Sequence, residues 1–343
     1  MSLIRLFSLP ESAIFTALFR ITFSRENPML NDNFTYAFST EAQNEIYDFI
    51  KNLHQYDRIE DAKTLESDDC PTFLKEVEEI RNELENGKRI VIVRPFVDLH
   101  NKYTIQEQRT ISWLLGNVLG EPLVQNEAGD KVICVFDRDR HNTMVKGARY
   151  HQTREGGTIH TDNVNVPYHW EYLVLSCIAP AMAGGENILV NALTVHKILK
   201  EKHPDVLAIL EKNFIWEQRG VADATYEAPI LTYNKKGEPM FRHLRPYMES
   251  AHRKTNNPLT EEQMYAIDTL DSVIEHSDNQ YRHTFKAGEI LLTYDSQVLH
   301  GRTCFSDSQD AVTIFDYKKD HNKPLKRTMD RLWAKKRGNL CLV

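Results

Sequence analysis

The apolar positions in the first third of the chain recur at helical spacing. In STEAQNEIYDFIKNLHQY, residues 39–56, Ile46, Phe49, Ile50 and Leu53 share one face behind a Thr40-x-x-Gln43 capping box. CPTFLKEVEEIRNELENG, residues 70–87, reads as a second helix closed by Gly87. TIQEQRTISWLLGNVLG opens with Thr104-x-x-Glu107, and LTEEQMYAIDTLDSVIEH opens with Thr260-x-x-Gln263. From about residue 130 the pattern changes. Apolar runs become short and rich in Val, Ile, Leu and Tyr, bounded by Gly, Pro, Asn or Asp. RIVIVRPF (89–96), KVICVF (131–136), EYLVLSCIAP (171–180), NILVNAL (187–193) and GEILLTYDSQVLHG (288–301) read as strands.

The order, helices first and strands afterwards, is not the regular alternation of a doubly wound sheet. It predicts a mainly β protein, a sandwich or barrel with helices packed outside, interrupted by an excursion that carries the helix near 260–276. The 343 residues suffice for a sizeable core, and 41% hydrophobic with 27% charged residues is an ordinary globular composition. A net charge of -7 leaves no basic excess to neutralise phosphates, which argues against nucleic acid as a partner. One local basic stretch stands out, from Lys318 to Arg337. The five cysteines are scattered without CxxC spacing, so neither a disulfide framework nor a zinc-cysteine site is expected, and a reducing compartment fits.

The N-terminal segment, residues 1–35, is apolar and carries Arg5, Arg20 and Arg25. It reads as a docking segment or as an organelle transit peptide, so the expected location is cytoplasmic unless the segment directs import. Arg5, Pro10, Glu11 and Arg20 break any run long enough to span a membrane. Residues 36–343 read as one domain, with a helical N-terminal part and the β core over about 89–335.

The candidate chemistry starts at GGTIHTDNVN. In a strand or at its end, His160 and Asp162 point to the same side and can share one metal ion. A second histidine, His300, closes the apolar run TYDSQVLHGR. Two histidines and one carboxylate make a facial set that holds non-haem Fe(II) and leaves positions open for other ligands. A structural zinc site would close the fourth position instead.

His160-Thr161-Asp162, AGGENILV (183–190), DSQVLHGRT (295–303) and RTMDRLW (327–333) together resemble the taurine dioxygenase/clavaminate synthase group of Fe(II)/2-oxoglutarate-dependent oxygenases, over roughly residues 90–335. The resemblance implies a double-stranded β-helix (jelly-roll, cupin-like) core with helices on one side, and His160, Asp162 and His300 as iron ligands. It implies Fe(2+), 2-oxoglutarate and O2 as cofactor and co-substrates, with succinate and CO2 released as an unactivated C–H bond is hydroxylated, desaturated or cyclised. Halogenation is disfavoured, because Asp162 fills the position a halide would need.

Relatives place the arginine that binds the distal carboxylate of 2-oxoglutarate ten to fifteen residues after the second histidine. Here the Arg-x-x-x-Arg pattern comes 27 residues after His300, as Arg327 and Arg331, so a loop is inserted before the arginine strand. Arg327 then resembles the 2-oxoglutarate arginine, with Asn187 as a further contact or merely a strand cap. Arg331 resembles the arginine that holds a substrate carboxylate, and Arg327 and Arg331 read otherwise as part of a solvated basic tail. Gln152 and Asn163 are further candidates for substrate contact, and so is Arg245 in RHLRPYMESAHR, which reads otherwise as a solvated loop clamped by salt bridges. The stretch Asn163 to Trp170 reads as a mobile lid, and Arg302 as support for the ligands. His100, His141, His196, His203, His252, His276 and His321 read as surface or packing histidines.

The expected function is oxidation of a small, anionic or amino-acid-like molecule, by a monomer or a homo-oligomer. The alternatives are a non-catalytic jelly-roll protein that binds a ligand, and an iron oxygenase that does not use 2-oxoglutarate.

Overall fold

The computed structural model describes residues 34–138, 143, 148–156, 158–317 and 322–338. The targeting or docking expectation for the N-terminal segment falls almost wholly outside these residues, as do His141, His321, Lys318, Lys319 and Cys341. No helix among the described residues is long and apolar enough to cross a membrane.

Three long helices come first: α1 (Thr40–Lys51), α2 (Pro71–Asn86) and, after strand β1 (Ile90–Val93) and one helical turn at Leu99–Lys102, α3 (Ile105–Leu119). The Thr104–Glu107 capping box of α3 forms as expected. The start of α1 needs a correction: Ser39, not Thr40, is the N-cap, accepting from the Ala42 amide at 3.2 Å. Gln43 is instead spent on joining Phe38 to Val97.

The large sheet holds β1, β2 (Val132–Val135), β3 (Tyr172–Ala179), β8 (Ile290–Tyr294) and β10 (Thr328–Lys335), with short pieces at 35–36 and 121–122. Its spatial order is 35–36, β1, β8, β3, β10, 121–122, and β2 also pairs with β10. The last strand of the chain thus lies between strands far earlier in sequence. A small antiparallel sheet faces it, in the order β7 (Gln280–His283), β4 (Asn187–Asn191), β9 (Val298–Arg302).

Alternation explains why these strands look uniformly apolar. Ile90 and Ile92 of β1, Leu175 and Cys177 of β3, Leu291 of β8 and Met329 of β10 point inward, against Leu189 and Val298 of the small sheet. Val91, Val93, Val174, Leu292 and Leu332 point outward, against α1–α3. Both faces of the large sheet are buried, so no polar alternation survives. The small sheet's outer residues, Ile188, Val190 and Leu299, meet another layer. It contains α4 (Ala192–Lys202), α5 (Pro204–Leu210), β5 (Asn213–Glu217), β6 (Thr225–Pro229), α6 (Arg245–Lys254) and α7 (Glu261–Glu275). Helices therefore cover both sides of the jelly-roll, not one.

Three strand expectations are shortened, the first of them, 89–96, stopping at Val93. The run 187–193 stops at Asn191, whose side chain accepts from Leu193 and Thr194 and so caps α4. The run 288–301 breaks at a 3-10 turn, Asp295–Gln297, where the chain passes from the large sheet to the small one.

Outward-facing Asp330 of β10 is buried and takes two hydrogen bonds from Arg109 of α3, at 2.6 and 3.2 Å. Arg109→Ala would leave that carboxylate buried and unpaired, at a cost of about 3 kcal/mol. Urea unfolding would measure it, and the paired replacement Arg109→Met with Asp330→Leu should recover most of the loss.

Candidate active site

His160 reaches the small sheet through an isolated bridge to His300, with amide–carbonyl bonds of 2.8 and 2.7 Å in the two directions. The backbone pairing brings the two imidazoles together, their ring centres 4.5 Å apart and their planes tilted by 47°. The His160 Nδ1–H donates to the Thr158 carbonyl at 2.9 Å, which leaves Nε2 as the free lone pair. Asp162 Oδ1 lies 3.6 Å from that Nε2 and 4.0 Å from His300 Nε2. One ligand atom from each residue falls within 4.8 Å of the others, a set able to hold a metal ion.

The carboxylate of Asp162 is fixed from β10. Arg331 Nη1 donates to Oδ1 at 3.2 Å and the Trp333 indole to Oδ2 at 2.9 Å. Arg331 and Trp333 are two apart on the inward face of that strand. Burial alone would raise the Asp162 carboxyl, but the adjacent Arg331 guanidinium holds it well below the usual carboxylate range. Asp295, in the turn between the sheets, accepts from the Asp162 and Asn163 amides at 3.0 and 3.2 Å. Burial and the neighbouring Asp162 push Asp295 well up. Of these two buried carboxyls, Asp162 carries the charge.

A second clamp comes from the layer between β4 and β7. Arg242 donates to the Asn163 carbonyl at 2.7 Å and to the Val166 carbonyl and Tyr226 hydroxyl at 2.5 Å each. Thr161 exchanges two bonds with the His243 backbone. The expected lid is therefore a correction: Asn163, Val164, Val166 and Trp170 are buried and tied down. Asn163 itself bonds Thr161 and His169, so its amide is committed to the turn.

Other candidates divide. Arg327 is 3% exposed, packs over the Phe305 ring and has no partner for Nη1 among the described residues. Burial and Arg302 push it down to about 10. Its Nε lies 3.1 Å from where a Gly185 β-carbon would be, and Gly185, at φ +74°, has its carbonyl on the Asn187 amide at 3.3 Å. Only a residue without a side chain leaves Arg327 that space. Asn187 sits opposite Arg302, two residues along the sheet from the His300 pairing. Arg331 also spends Nε on Gln125 and keeps Nη2 buried without a partner among the described residues. Neither arginine belongs to a solvated tail. Gln152 is half-buried and accepts from the Arg149 amide. Arg302 bonds the carbonyls of Glu155 and Thr153, which ties the segment before His160 to β9.

Arg245 is not brought to this group. It opens α6, not a loop, and its guanidinium is taken by Glu249, Asp268 and Asp271, each at 2.7 Å. Asp271 also holds buried His243. Arg242, Asp295 and Trp333 had no assigned role in the sequence reading. All three stand inside quoted stretches, but only long-range contacts reveal what they do.

A profile of the taurine catabolism dioxygenase TauD, TfdA family matches residues 36–314. The chain belongs to that family. The match covers the His160, Asp162 and His300 positions and stops short of Arg327 and Arg331. FR-33289 synthase of Streptomyces rubellomurinus is 25% identical over 215 residues, 61% of each chain. A taurine hydroxylase-like protein of Stachybotrys chartarum is 25% identical over 211 residues, 59% of this chain and 52% of its own. The aligned region thus spans about half to three fifths of these relatives. Among solved structures, asparagine oxygenase, crystallised with Fe(II), 3-hydroxyasparagine and succinate, superposes with a TM-score of 0.63 at 13% identity, over 88% of this chain and 94% of the other. The non-haem iron oxygenase OrfP, crystallised with Fe and α-ketoglutaric acid, gives 0.56 at 16% identity, over 88% and 94%. At these identities the structures establish the fold: a TauD-like jelly-roll.

The site sets a pH dependence. Burial, with His160 alongside, pushes His300 from its ordinary 6.5 down to about 3. Between those values the unfolded chain binds a proton that the folded chain does not, so stability falls as pH drops through that window. In metal-free protein, urea unfolding at pH 5 should show about 1–2 kcal/mol less stability than at pH 7 from this residue. His300→Gln should remove that share.

Proposed function

We propose that this protein is a non-haem Fe(II)- and 2-oxoglutarate-dependent dioxygenase acting on a small anionic or amino-acid-like substrate. His160 Nε2, Asp162 and His300 would hold the metal. Two imidazoles and a carboxylate suit Fe(II) and leave coordination positions open. Family membership supports the reaction class, and the fold neighbours crystallised with iron and 2-oxoglutarate or succinate support the choice of cofactors.

The observation that carries the 2-oxoglutarate part is Arg327. Its guanidinium is buried with no hydrogen-bond partner for one nitrogen among the described residues, which is costly, and a bound carboxylate would answer it. In this reading Arg327 takes the distal carboxylate, Asn187 lies alongside, and the Arg302–Phe305 packing keeps water away. When bound, iron and 2-oxoglutarate supply the oxidising chemistry that breaks the C–H bond. The chain's own work is placement. Arg331 and Trp333 keep Asp162 a charged, oriented ligand. Asp295 and Arg242 hold the backbone around it, and Arg331 presents its remaining N–H groups to the substrate's acidic group.

The test is succinate formation with Fe(II), 2-oxoglutarate and O2 across a panel of amino acids and small organic acids, with iron content measured in parallel. His160→Ala should lose stoichiometric iron, and Arg327→Ala should weaken 2-oxoglutarate binding by about tenfold or more. Iron retained by His160→Ala would remove the ligand assignment. Unchanged 2-oxoglutarate affinity in Arg327→Ala would favour an iron oxygenase that does not use it. Absence of iron in the purified and reconstituted wild type would favour a non-catalytic ligand-binding jelly-roll.

A further inference from the structure

A ring holds the Arg327 side chain. The Arg327 amide is tied to Asp307 at 2.8 Å, and its Nη1 is buried without a partner among the described residues. What the guanidinium does meet is Phe305, with Cζ over that ring and 5.0 Å from its centre. The Arg302 guanidinium lies over the same ring at 4.8 Å. Phe305 is buried and fixed through its own backbone: its amide donates to the Arg154 carbonyl at 3.3 Å, and it pairs with Gly184. A β-carbon on Gly185 would come within 3.1 Å of Arg327 Nε and 3.4 Å of Phe305 Cβ, so glycine there lets the backbone lie against both.

The same series of contacts reaches the metal ligands. Arg302 Cζ is 4.7 Å from the centre of the Tyr150 ring, which meets the His160 ring edge-on at 5.0 Å. From His160 to Arg327 the contacts thus run through Tyr150, Arg302 and Phe305. The two guanidinia differ in what they have left to give. Arg302 donates to the carbonyls of Glu155, Thr153 and Tyr150, at 2.5, 2.6 and 3.4 Å. Arg327 is held by its charge over the ring. A cation is drawn to an aromatic face without a lone-pair acceptor, most strongly where water is excluded. Its N–H groups therefore stay available to fork onto a carboxylate.

We infer that Phe305 is a positioning residue: it aims Arg327 at the distal carboxylate of the 2-oxo acid and so sets the preference for a dicarboxylate. The inference rests on the oxygenase reading and adds to it what selects the co-substrate. A hydrogen-bonding side chain in place of the ring would hold Arg327 at the expense of the donors the acid needs.

Calorimetry on the anaerobic Fe(II)-loaded protein tests this with 2-oxoglutarate and with 2-oxopentanoate, whose chain is equally long but ends in a methyl group. Wild type should bind 2-oxoglutarate at least about tenfold more tightly than 2-oxopentanoate. Phe305→Leu should cut that preference by about fivefold or more, with 2-oxopentanoate affinity and iron content held. A trifluorinated phenylalanine at the same position keeps the shape and weakens the negative face of the ring, so it should cut the preference too. It also carries the test if Phe305→Leu fails to fold. A preference that survives the fluorinated ring overturns the inference, and so does a Phe305→Leu protein that loses both acids alike, since the ring would then be packing only. Equal binding of the two acids by wild type overturns it as well. If neither 2-oxoglutarate nor its analogue binds wild type, the oxygenase reading falls and this inference with it; if 2-oxoglutarate binds and the ring proves irrelevant, only the inference falls.

Discussion

The site turns on one buried carboxylate. Asp162 sits between two imidazoles with almost no access to water. A charge in that position persists only if something meets it. The closing strand does so twice: Arg331 takes Oδ1 and Trp333 takes Oδ2. Both donors arrive because β10 pairs with β3 and β2 in a fixed register, with Arg331 opposite Leu175 and Ile133. The sheet order and the charge on the ligand are thus one fact. A strand slipped by one residue would turn both donors to the helix side and leave Asp162 unanswered.

The layer between β4 and β7 contributes at the next remove. Arg242 draws the Asn163 and Val166 carbonyls together, and the adjacent His243 backbone holds Thr161. His243 is held in turn by Asp271, and Asp271 by Arg245. The chain of contacts runs from an ion-pair cluster at the start of α6 to the backbone of the ligand motif. Arg245, read from sequence as a substrate contact or a clamp, is an anchor of this chain in the fold.

What was legible in the sequence was what local pattern encodes. Capping boxes at Thr104 and Thr260 mark helix starts because the side chain and the amide it caps are three residues apart. His160 and Asp162 stood out because alternate residues near a strand share a side. The turn at Asp295–Gln297 did not stand out. The apolar run continues on both sides of it, and only the switch from one sheet to the other distinguishes a break from a longer strand. Helices α4 and α5 were hidden because their apolar residues follow directly on the β4 run. The stretch after Asp162 looked like a lid because Asn163 and Asn165 are polar. Its burial depends on Arg242, nearly eighty residues on, which no local pattern announces.

The displaced arginines show the same distinction from the other side. Arg327 and Arg331 follow His300 at an unusual interval, which a count along the chain registers as a departure. In space the interval is irrelevant. A loop between two strands lengthens at little cost, since closure entropy grows only slowly with loop length. What places the arginines is pairing. Residues 329, 331 and 333 alternate onto the inward face of β10 whatever precedes them, as Met329 in the sandwich core and Arg331 and Trp333 on Asp162 attest. Arg327 lies just ahead of the irregularity between Thr328 and Met329, with its amide held by Asp307 at 2.8 Å. The long connection is therefore anchored immediately before the strand begins. It can vary in length without moving either guanidinium, because Asp307 fixes where the connection ends and the ladder to β3 fixes everything after it.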